Sequence, residues 1–278
     1  MRFYLQFHCI LARLLFMQNR VMNFINMLGR FLLNFWAVTG RLGIFCTTAL
    51  THCFRPPFYG RELVRQLIEI GFYSLPVVAL TTLFSGMVIA LQTYTGFSSI
   101  SAESAVALVV LVSETRELAP VLAGLMVAGR IGAAMAAELG TMRVTEQIDA
   151  LTTLSTNPYK YLIVPRVVAG IVMLPVLVLI GDVIGICGGY LIGVYKLDFN
   201  ATTYLRNTWE YLKPMDITSG LTKAAVFGAI ITLLGCYNGF HSKGGAQGVG
   251  QATTNAVVSS SILILIFNYI LTEIFFNM

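Results

Sequence analysis

Five small residues recur at every fourth position inside one long apolar run of this sequence. The run, LAPVLAGLMVAGRIGAAMAAELG, occupies residues 118–140. Residues four apart lie on one face of a helix. In a soluble helix each glycine would cost about 1 kcal/mol relative to alanine, whereas in a membrane a flat stripe lets another helix approach closely. The pattern predicts a tightly packed membrane helix. Its predicted helix-packing residues are Gly124, Ala128, Gly132, Ala136 and Gly140.

Other apolar runs place the whole chain in a membrane. Of its 278 residues, 56% are hydrophobic and only 11% are charged, whereas soluble domains average about 25% charged residues. Several runs approach or exceed the roughly 20 residues that cross a bilayer. We therefore predict an all-α polytopic membrane protein with about five transmembrane helices. They are predicted at about residues 68–94, 105–140, 161–195, 217–239 and 256–276.

The distribution of charge predicts the orientation and the domains. Eight of the 18 basic residues precede Gln66, where Glu62 is the only acid. This excess of positive charge places the N-terminal segment in the cytoplasm, and five crossings then place the C-terminus outside. Residues 1–60 are predicted to be a basic leader with an interfacial amphipathic helix, a poorly ordered leader being the alternative. Residues 61–278 are predicted to form the membrane domain.

A hydrophilic link on the predicted cytoplasmic side extends from Thr141 to Pro158. Apolar residues recur in it near helical spacing, which predicts one short amphipathic helix that ends at Pro158. Two hypotheses fit this helix. In the first it transmits the movement of a cytoplasmic partner to the two spans that it joins, and in the second it is an ordinary interfacial helix. Its apolar positions are Val144, Ile148, Leu151 and Leu154.

Ionisable residues inside the predicted spans are informative because each costs about 2.5–3.5 kcal/mol to insert, so they mark a pathway or an internal pair. Arg116 either holds a phosphate or pairs with Glu114 or Glu117, unless these three residues are simply solvated at the outer interface. Lys223 has no local partner, so it faces a polar cavity or extends to the surface. Structural pairing with neighbouring segments is predicted for Arg130 and Glu138.

Catalytic, metal and cofactor chemistry is not predicted. The five cysteines include no CxxC pair, and the three histidines lie in peripheral segments. The glycine-rich stretch SKGGAQGVGQ lacks both a GK[ST] ending and a preceding strand, so it does not predict a phosphate-binding loop. The net charge of +5 reflects the basic N-terminal segment and does not indicate nucleic-acid binding. We therefore expect a protein that is not an enzyme by itself.

Several long blocks of the sequence resemble one family. They are GMVIALQTY, ETRELAPVLAGLMVAGRIGAAMAAELGTMRVTEQIDAL, NPYKYLIVPRVVAG, LPVLVLIGDVIGICGGYLIG and QATTNAVVSSS. These blocks are similar to the MlaE-type permeases, the membrane subunits of ABC transporters that move phospholipid between bacterial membranes. The resemblance covers about residues 60–276. It implies a role in maintaining the lipid asymmetry of the outer membrane.

The resemblance also implies partners and a location. Such permeases form homodimers that hold phospholipid in a central cavity between the two copies. ATP hydrolysis is supplied by a separate cytoplasmic ATPase subunit, the outer face docks a ring of MCE-domain proteins, and a small STAS-domain protein often binds the ATPase. The implied location is the bacterial inner membrane, with the chloroplast envelope as the alternative. Two rival hypotheses are a non-transporting membrane scaffold subunit and an ion-coupled secondary carrier.

Two sets of site residues follow from the resemblance. A family pocket position also matches Gly96, which offers no side chain. The implied lipid-binding residues are Ile89, Phe97, Ile100, Arg116, Glu117 and Lys223. The implied ATPase-coupling residues are Met142, Arg143, Glu146, Gln147, Asp149 and Asn157.

Overall fold

The computed structural model describes residues 27, 29–30, 32–33, 36–53, 55–56, 59–96 and 102–276, with the side chains of 102–104 left aside. These residues belong to two units, 1–48 and 49–278. In the first unit residues 36–48 are helical, and Trp36, Val38 and Ile44 expose their apolar side chains. Most of the predicted basic leader, including residues 1–26, lies outside the described residues. The predicted domain boundary at residue 60 stays a prediction.

The described part of the second unit is built from α-helices. The helices are α1 (Gly60–Ile70), α2 (Leu75–Gly96), α3 (Ala102–Ser113), α4 (Ala119–Val127), α5 (Ala133–Val144), α6 (Gln147–Thr153), α7 (Val164–Tyr195), α8 (Ala201–Tyr211), α9 (Pro214–Phe240) and α10 (Gly245–Phe276). Two π-helical turns, Glu114–Leu118 and Ala128–Gly132, join α3, α4 and α5 end to end, and a third, Tyr159–Ile163, precedes α7.

Five helical stretches of the described residues are long and apolar enough to cross a membrane. This confirms the predicted all-α polytopic fold. We call the end of the bundle that carries the 145–158 link the inner end, following the charge-based prediction, and the opposite end the outer end. The five stretches are span 1 (Gly60–Gly96), span 2 (Ala105–Val144), span 3 (Tyr159–Tyr195), span 4 (Pro214–Phe240) and span 5 (Gly245–Phe276).

Span 2 packs against each of the other four spans. Span 3 lies between spans 1 and 4, and span 4 lies between spans 3 and 5. The stretch that carries the small-residue stripe therefore touches every other membrane-spanning part of the unit. A change in the position of span 2 would therefore alter its packing against all four of the other spans.

Span 1 is interrupted, but the interruption precedes its proline. Residues 71–74 form a turn, and α2 then continues without a break through Gly86. Pro76 lies in the first turn of α2, where a missing backbone N–H costs nothing because no helical acceptor precedes it. The proline thus restarts the helix after the turn.

Span 5 is longer than the hydrophobic run predicts. The glycine-rich stretch after span 4 was expected to be a loop up to about residue 255, and this expectation is wrong, because α10 already begins at Gly245. Only residues 241–244 separate the two helices. Gly244 and Gly245 have φ of +91° and +70°, conformations that glycine adopts without steric cost, so two residues are enough to reverse the chain.

The helix within the inner link is also shorter than predicted. Span 2 continues to Val144, and the predicted amphipathic helix is reduced to α6, seven residues long. Glu146 and Ser155 take positive φ on either side of α6 and so delimit it. The prediction that Pro158 ends this helix is wrong, since Pro158 directly precedes the helical turn that opens span 3.

The outer link between spans 3 and 4 contains α8, a helix that was not predicted. The side chain of Asn200 caps it by accepting hydrogen bonds from the backbone N–H groups of Thr202 and Thr203. Tyr204 is buried against the outer ends of spans 1 and 2, whereas Trp209 is 79% exposed. The helix therefore presents one apolar face to the bundle and one aromatic residue outward.

Candidate functional site

All five residues of the small-residue stripe are buried, and they face spans 4 and 5. A Cβ on Gly124 would lie 3.3 Å from the ring of Phe227, and one on Gly140 would lie 3.3 Å from Ser242 Oγ. From the other side, a Cβ on Gly239 would lie 2.8 Å from the carbonyl oxygen of Ala136. Small residues on both partners therefore let the backbones of spans 2 and 4 approach closely.

Four charged residues meet between spans 2 and 4 near the outer end, and we call Arg116, Glu117, Asp216 and Lys223 the outer ion cluster. Arg116 donates from Nε and Nη2 to Oδ1 of Asp216, each at 2.8 Å. Its guanidinium also lies over the ring of Phe276, with Cζ 4.3 Å from the centroid. The Asp216 side chain is 1% exposed and that of Arg116 is 29% exposed, so this pair keeps one face toward the surroundings.

Lys223 forms the second half of the outer ion cluster. Its ammonium group donates to Glu117 Oε1, to the backbone oxygen of Arg116 and to Thr272 Oγ1, each at 2.8 Å. Glu117 in turn accepts a hydrogen bond from Asn268 Nδ2 at 2.9 Å. The Lys223 side chain is 0% exposed. All three ammonium hydrogens are used inside the protein, and the cluster ties spans 2, 4 and 5 together.

These contacts change two of the expectations for single residues. Arg116 pairs with Asp216 of span 4, a partner that the sequence interpretation did not consider, and not with either neighbouring glutamate. The expectation that Lys223 extends to the surface is wrong, since its side chain is enclosed and paired with Glu117, whereas a polar cavity at Lys223 stays a prediction. A buried charge inside an apolar helix is stable there because each of its protons has an acceptor.

The predicted structural pairing of Arg130 and Glu138 is confirmed. Arg130 Nη1 donates to Ser74 Oγ at 2.8 Å and to the backbone oxygen of Glu69 at 3.3 Å, which ties span 2 to span 1. Glu138 pairs with Arg166 of span 3 at 2.8 Å, and the Arg166 side chain is buried. Span 2 is thus held by ion pairs or charged hydrogen bonds to spans 1, 3 and 4.

The apolar members of the implied lipid-binding set are placed differently. Ile89 is half-buried and packs against a cluster of apolar residues at the outer ends of spans 1 and 2 and beside α8. Phe97 and Ile100 lie outside the described residues. Gly96 has open space around the position of a Cβ. Of the six implied residues, the structure brings together Arg116, Glu117 and Lys223.

The implied ATPase-coupling residues lie on and beside α6 at the inner end. Glu146, Gln147 and Asp149 are exposed, and Asp149 accepts from Arg143 Nη1 at 2.6 Å. Of the four apolar positions predicted for this helix, only Ile148 is buried. Leu154 is 74% exposed and Val144 is 39% exposed. The inner end therefore presents acidic and apolar side chains on one short protrusion.

Asn157 and Met142 border this protrusion. The amide of Asn157 lies 3.1 Å from His52 Nε2, and its oxygen accepts from the backbone N–H of Tyr159 at 2.9 Å. Lys160 donates to the backbone oxygen of Pro56 at 2.6 Å. Met142 is half-buried. The residues that follow α6 are therefore held against the segment that precedes span 1.

The sequence model of one family, described as Permease MlaE, matches residues 63–274.

The chain belongs to the MlaE permease family.

Individual proteins agree with this assignment. The MlaE-family chain is 61% identical over 257 residues to a "Probable ABC transporter permease protein" of Rickettsia bellii, covering 92% of this chain and 99% of that protein. It is 36% identical over 262 residues to the "Intermembrane phospholipid transport system permease protein MlaE" of Haemophilus influenzae, with coverage of 92% and 99%. It is 40% identical over 219 residues to "Protein TRIGALACTOSYLDIACYLGLYCEROL 1, chloroplastic" of Arabidopsis thaliana, with coverage of 78% and 62%.

Membership in the MlaE family fixes the general role. The chain is a multi-pass membrane permease of the ABC transporter class, not an enzyme. The matched residues include all of spans 2, 3 and 4, the inner link and the outer ion cluster.

Proposed function

We propose that this MlaE permease moves phospholipid between the inner and outer membranes of a bacterium and so maintains the lipid asymmetry of the outer membrane. The name of the Haemophilus influenzae relative supports the substrate class. The observation that carries the proposal is the outer ion cluster, in which a partly exposed arginine lies beside a sealed lysine within an apolar bundle.

Arg116 supplies the first contact for a lipid headgroup. Its guanidinium uses Nε and Nη2 on one oxygen of Asp216, while part of the side chain stays exposed. A guanidinium presents five N–H donors in a planar fork that suits phosphate oxygens. A phosphate can therefore bind the exposed edge while Asp216 still holds the other edge, with acyl chains against the apolar walls of the spans.

Lys223 supplies the second contact only after a rearrangement. Its three donors are occupied by Glu117, Thr272 and the backbone of Arg116. A phosphate can replace the Glu117 carboxylate as the acceptor because both are anions. Such an exchange breaks the ion pair that joins spans 2 and 4 near the outer end. Lys223 then binds the lipid phosphate in the lipid-bound state and the Glu117 carboxylate in the state described here.

The driving force enters at the inner end in this proposal. A separate cytoplasmic ATPase binds the protrusion around α6, with Met142, Arg143, Glu146, Gln147, Asp149 and Asn157 as its coupling residues. Span 2 leaves this protrusion directly and contacts every other span. Movement of α6 is therefore transmitted along one continuous helical stretch to the outer ion cluster, which lies at the other end of span 2.

The remaining partners complete the assembly. Two copies form a homodimer with the lipid cavity between them, an MCE-domain protein docks on the outer face, and a STAS-domain protein binds the ATPase. Span 5 is the least buried span, with apolar side chains such as Ile262, Leu265 and Ile266 exposed. Such a face is available to a second copy or to lipid. The proposed location is the bacterial inner membrane.

Lipid retention tests the headgroup proposal. Arg116→Ala should reduce the phospholipid that co-purifies with the permease, because the exposed phosphate ligand is removed. Arg206→Ala is the matched control, since Arg206 is an exposed arginine on α8. Phosphorus analysis of extracted lipid measures the outcome. Equal retention in wild type and Arg116→Ala would remove Arg116 from the headgroup site.

A charge swap tests the coupling proposal. The double variant Glu146→Lys/Asp149→Lys should lose co-purification with the ATPase. Because Asp149 also pairs with Arg143, the variant Arg143→Asp/Asp149→Arg restores the internal pair while moving the negative charge. Loss in both variants assigns the effect to partner binding, and loss only in the first assigns it to Glu146 or to the internal pair. Unchanged binding in both would discard the coupling role.

Reconstitution separates the proposal from its two rivals. An ABC permease should stimulate lipid-dependent hydrolysis of ATP by its partner subunit. A scaffold subunit would give no such stimulation, and an ion-coupled carrier would move lipid when reconstituted alone. The measurements are phosphate release and the transfer of a fluorescent phospholipid between vesicles, each with and without the partner ATPase.

A further inference from the structure

Two acidic side chains are buried together where spans 1, 2 and 3 meet, and neither belongs to the outer ion cluster. Glu114 begins the first π-helical turn of span 2 and is 0% exposed, and Asp182 of span 3 is 5% exposed. Neither carboxyl oxygen of Glu114 has a well-formed hydrogen bond to the described residues, and neither does Oδ1 of Asp182. Buried ionisable groups without partners are costly, so this pair requires an explanation.

The surroundings of the pair are small and nearly without donors. A Cβ on Gly185 would lie 3.0 Å from Cδ of Glu114 and 3.1 Å from its Oε2, so the carboxyl group lies directly on the backbone of span 3. Asp182 precedes Gly185 by one helical turn and therefore lies on the same face of span 3. Ser85 of span 1 is the neighbouring hydroxyl. Thr82 donates its own hydroxyl hydrogen to the Val78 carbonyl at 3.0 Å.

No cation of the described neighbouring helices is available to neutralise the pair. Helix α2 of span 1 contains no charged residue, and neither does α4. Span 4 contributes Asp216 and Lys223, which bind Arg116 and Glu117. Span 3 has two basic groups, both at the inner end: Lys160 donates to the backbone oxygen of Pro56, and Arg166 binds Glu138.

The last helix packed against this turn is α3, and its charged residue is Glu103. Glu103 lies eleven residues before Glu114, which corresponds to about 16 Å along a helix. It adds no positive charge. Two carboxylates that share one apolar site cannot both remain ionised without a compensating cation.

We propose that Glu114 and Asp182 form a proton-binding site, in which one proton is held between the two carboxyl groups at neutral pH. The proton allows one carboxyl group to donate a hydrogen bond to the other, which gives one oxygen of each group a partner. Loss of this proton places two negative charges between spans 1, 2 and 3. The packing of these three spans therefore depends on occupancy by the proton, independently of lipid or ATPase.

Infrared spectroscopy of the purified full chain tests the site without any probe molecule. A protonated carboxyl group shows a carbonyl stretching band that a carboxylate lacks. In micelles of dodecyl maltoside, a detergent without a carbonyl group, wild type at neutral pH should show this band, and both Glu114→Gln and Asp182→Asn should change it. Glu210→Gln is the matched control, because Glu210 is an exposed acid on α8. A wild-type spectrum without the band, or a band unaffected by either variant, overturns the proposal.

Stability against pH provides the second measurement. Because the folded state holds a proton that the unfolded chain releases above pH about 4, wild-type stability should fall as the pH rises from about 4. The unfolding equilibrium constant changes by up to about tenfold for each pH unit, until the folded site itself loses the proton and the dependence levels off. Glu114→Gln and Asp182→Asn, which each leave a single carboxyl group, should flatten this dependence. Identical stability profiles for wild type and both variants over this pH range would contradict the shared site. If a variant fails to fold, the wild-type infrared spectrum still decides.

Discussion

Gly86 of span 1 and Gly185 of span 3 lie so close that a Cβ on Gly86 would overlap the carbonyl oxygen of Gly185. Neighbouring positions repeat this relationship, since a Cβ on Gly188 would overlap the backbone oxygen of Leu83. Spans 1 and 3 therefore pack backbone against backbone at this level. In a membrane such packing, and not the removal of apolar surface from water, stabilises helix association.

Replacing Gly86 by alanine should separate spans 1 and 3. The added methyl group meets a backbone atom, which cannot rotate away, and overpacking of this kind typically costs about 1–3 kcal/mol. Gly129→Ala is the control, because nothing lies within 4 Å of a Cβ at that position. Unfolding in mixed micelles with increasing sodium dodecyl sulfate measures both variants. Equal stability of the two would show that the close contact is not maintained in solution.

Replacing Lys223 by methionine should destabilise the protein, because Glu117 and Thr272 lose the group that binds them. The side chain of Glu117 is 36% exposed, so the loss of the ammonium group is expected to cost about 1–3 kcal/mol, and replacing both partners should cost less. The double variant Lys223→Met/Glu117→Gln should therefore recover part of the loss. The same detergent titration measures both variants. A double variant that is no more stable than Lys223→Met would argue against a direct pair.

Two ion pairs of span 2 should differ strongly in how much they contribute to the stability of the folded protein. Glu138→Ala leaves the buried Arg166 without its carboxylate, which is expected to cost about 1–3 kcal/mol. Asp149→Ala breaks the pair with Arg143, in which both side chains are exposed, and should cost about 0–1 kcal/mol. Thermal unfolding of the two variants under the same conditions makes the comparison. A larger loss of stability for Asp149→Ala than for Glu138→Ala would contradict the prediction that the pair with the buried Arg166 contributes more.

Tyr204 should make the fold sensitive to alkaline pH. Burial raises the pKa of Tyr204 to about 12, whereas an unfolded tyrosine ionises near pH 10. An acid that stays neutral in the fold adds stability that is present below pH about 10 and is lost as the pH rises toward 12. Tyr204→Phe should remove this loss, with Tyr211→Phe on the same helix as the control. Unfolding temperatures across this pH range measure it.

Patterns within short stretches of the sequence predicted those features of the structure that depend only on neighbouring residues. Apolar runs long enough to cross a bilayer located all five spans, and the spacing of Gly124 and Gly132 identified the buried face of span 2. The ends of the helices were less accurate. Helix α8 and the first turns of α10 are polar, so hydropathy gave no signal, although the cap at Asn200 was present in the sequence.

Partners across the bundle could not be predicted in the same way. Arg116 and Asp216 are 100 residues apart in the chain, and their pairing depends on how span 4 packs against span 2. The same holds for Glu114 and Asp182, which look like isolated charges until spans 2 and 3 are brought together. Sequence reasoning found that these ionisable residues matter, but only the packing of the helices decides which of them meet.

The two π-helical turns of span 2 make the number of residues in this span as important for its contacts as the identity of those residues. Each turn accommodates one residue more than a regular helical turn, so every position that follows is rotated by about 100°. Deleting a single residue within Ala128–Gly132 would restore regular hydrogen bonding, yet it would turn Glu138 away from Arg166. A one-codon loss there would therefore be more harmful than most substitutions, and viable insertions or deletions belong in the links between the spans.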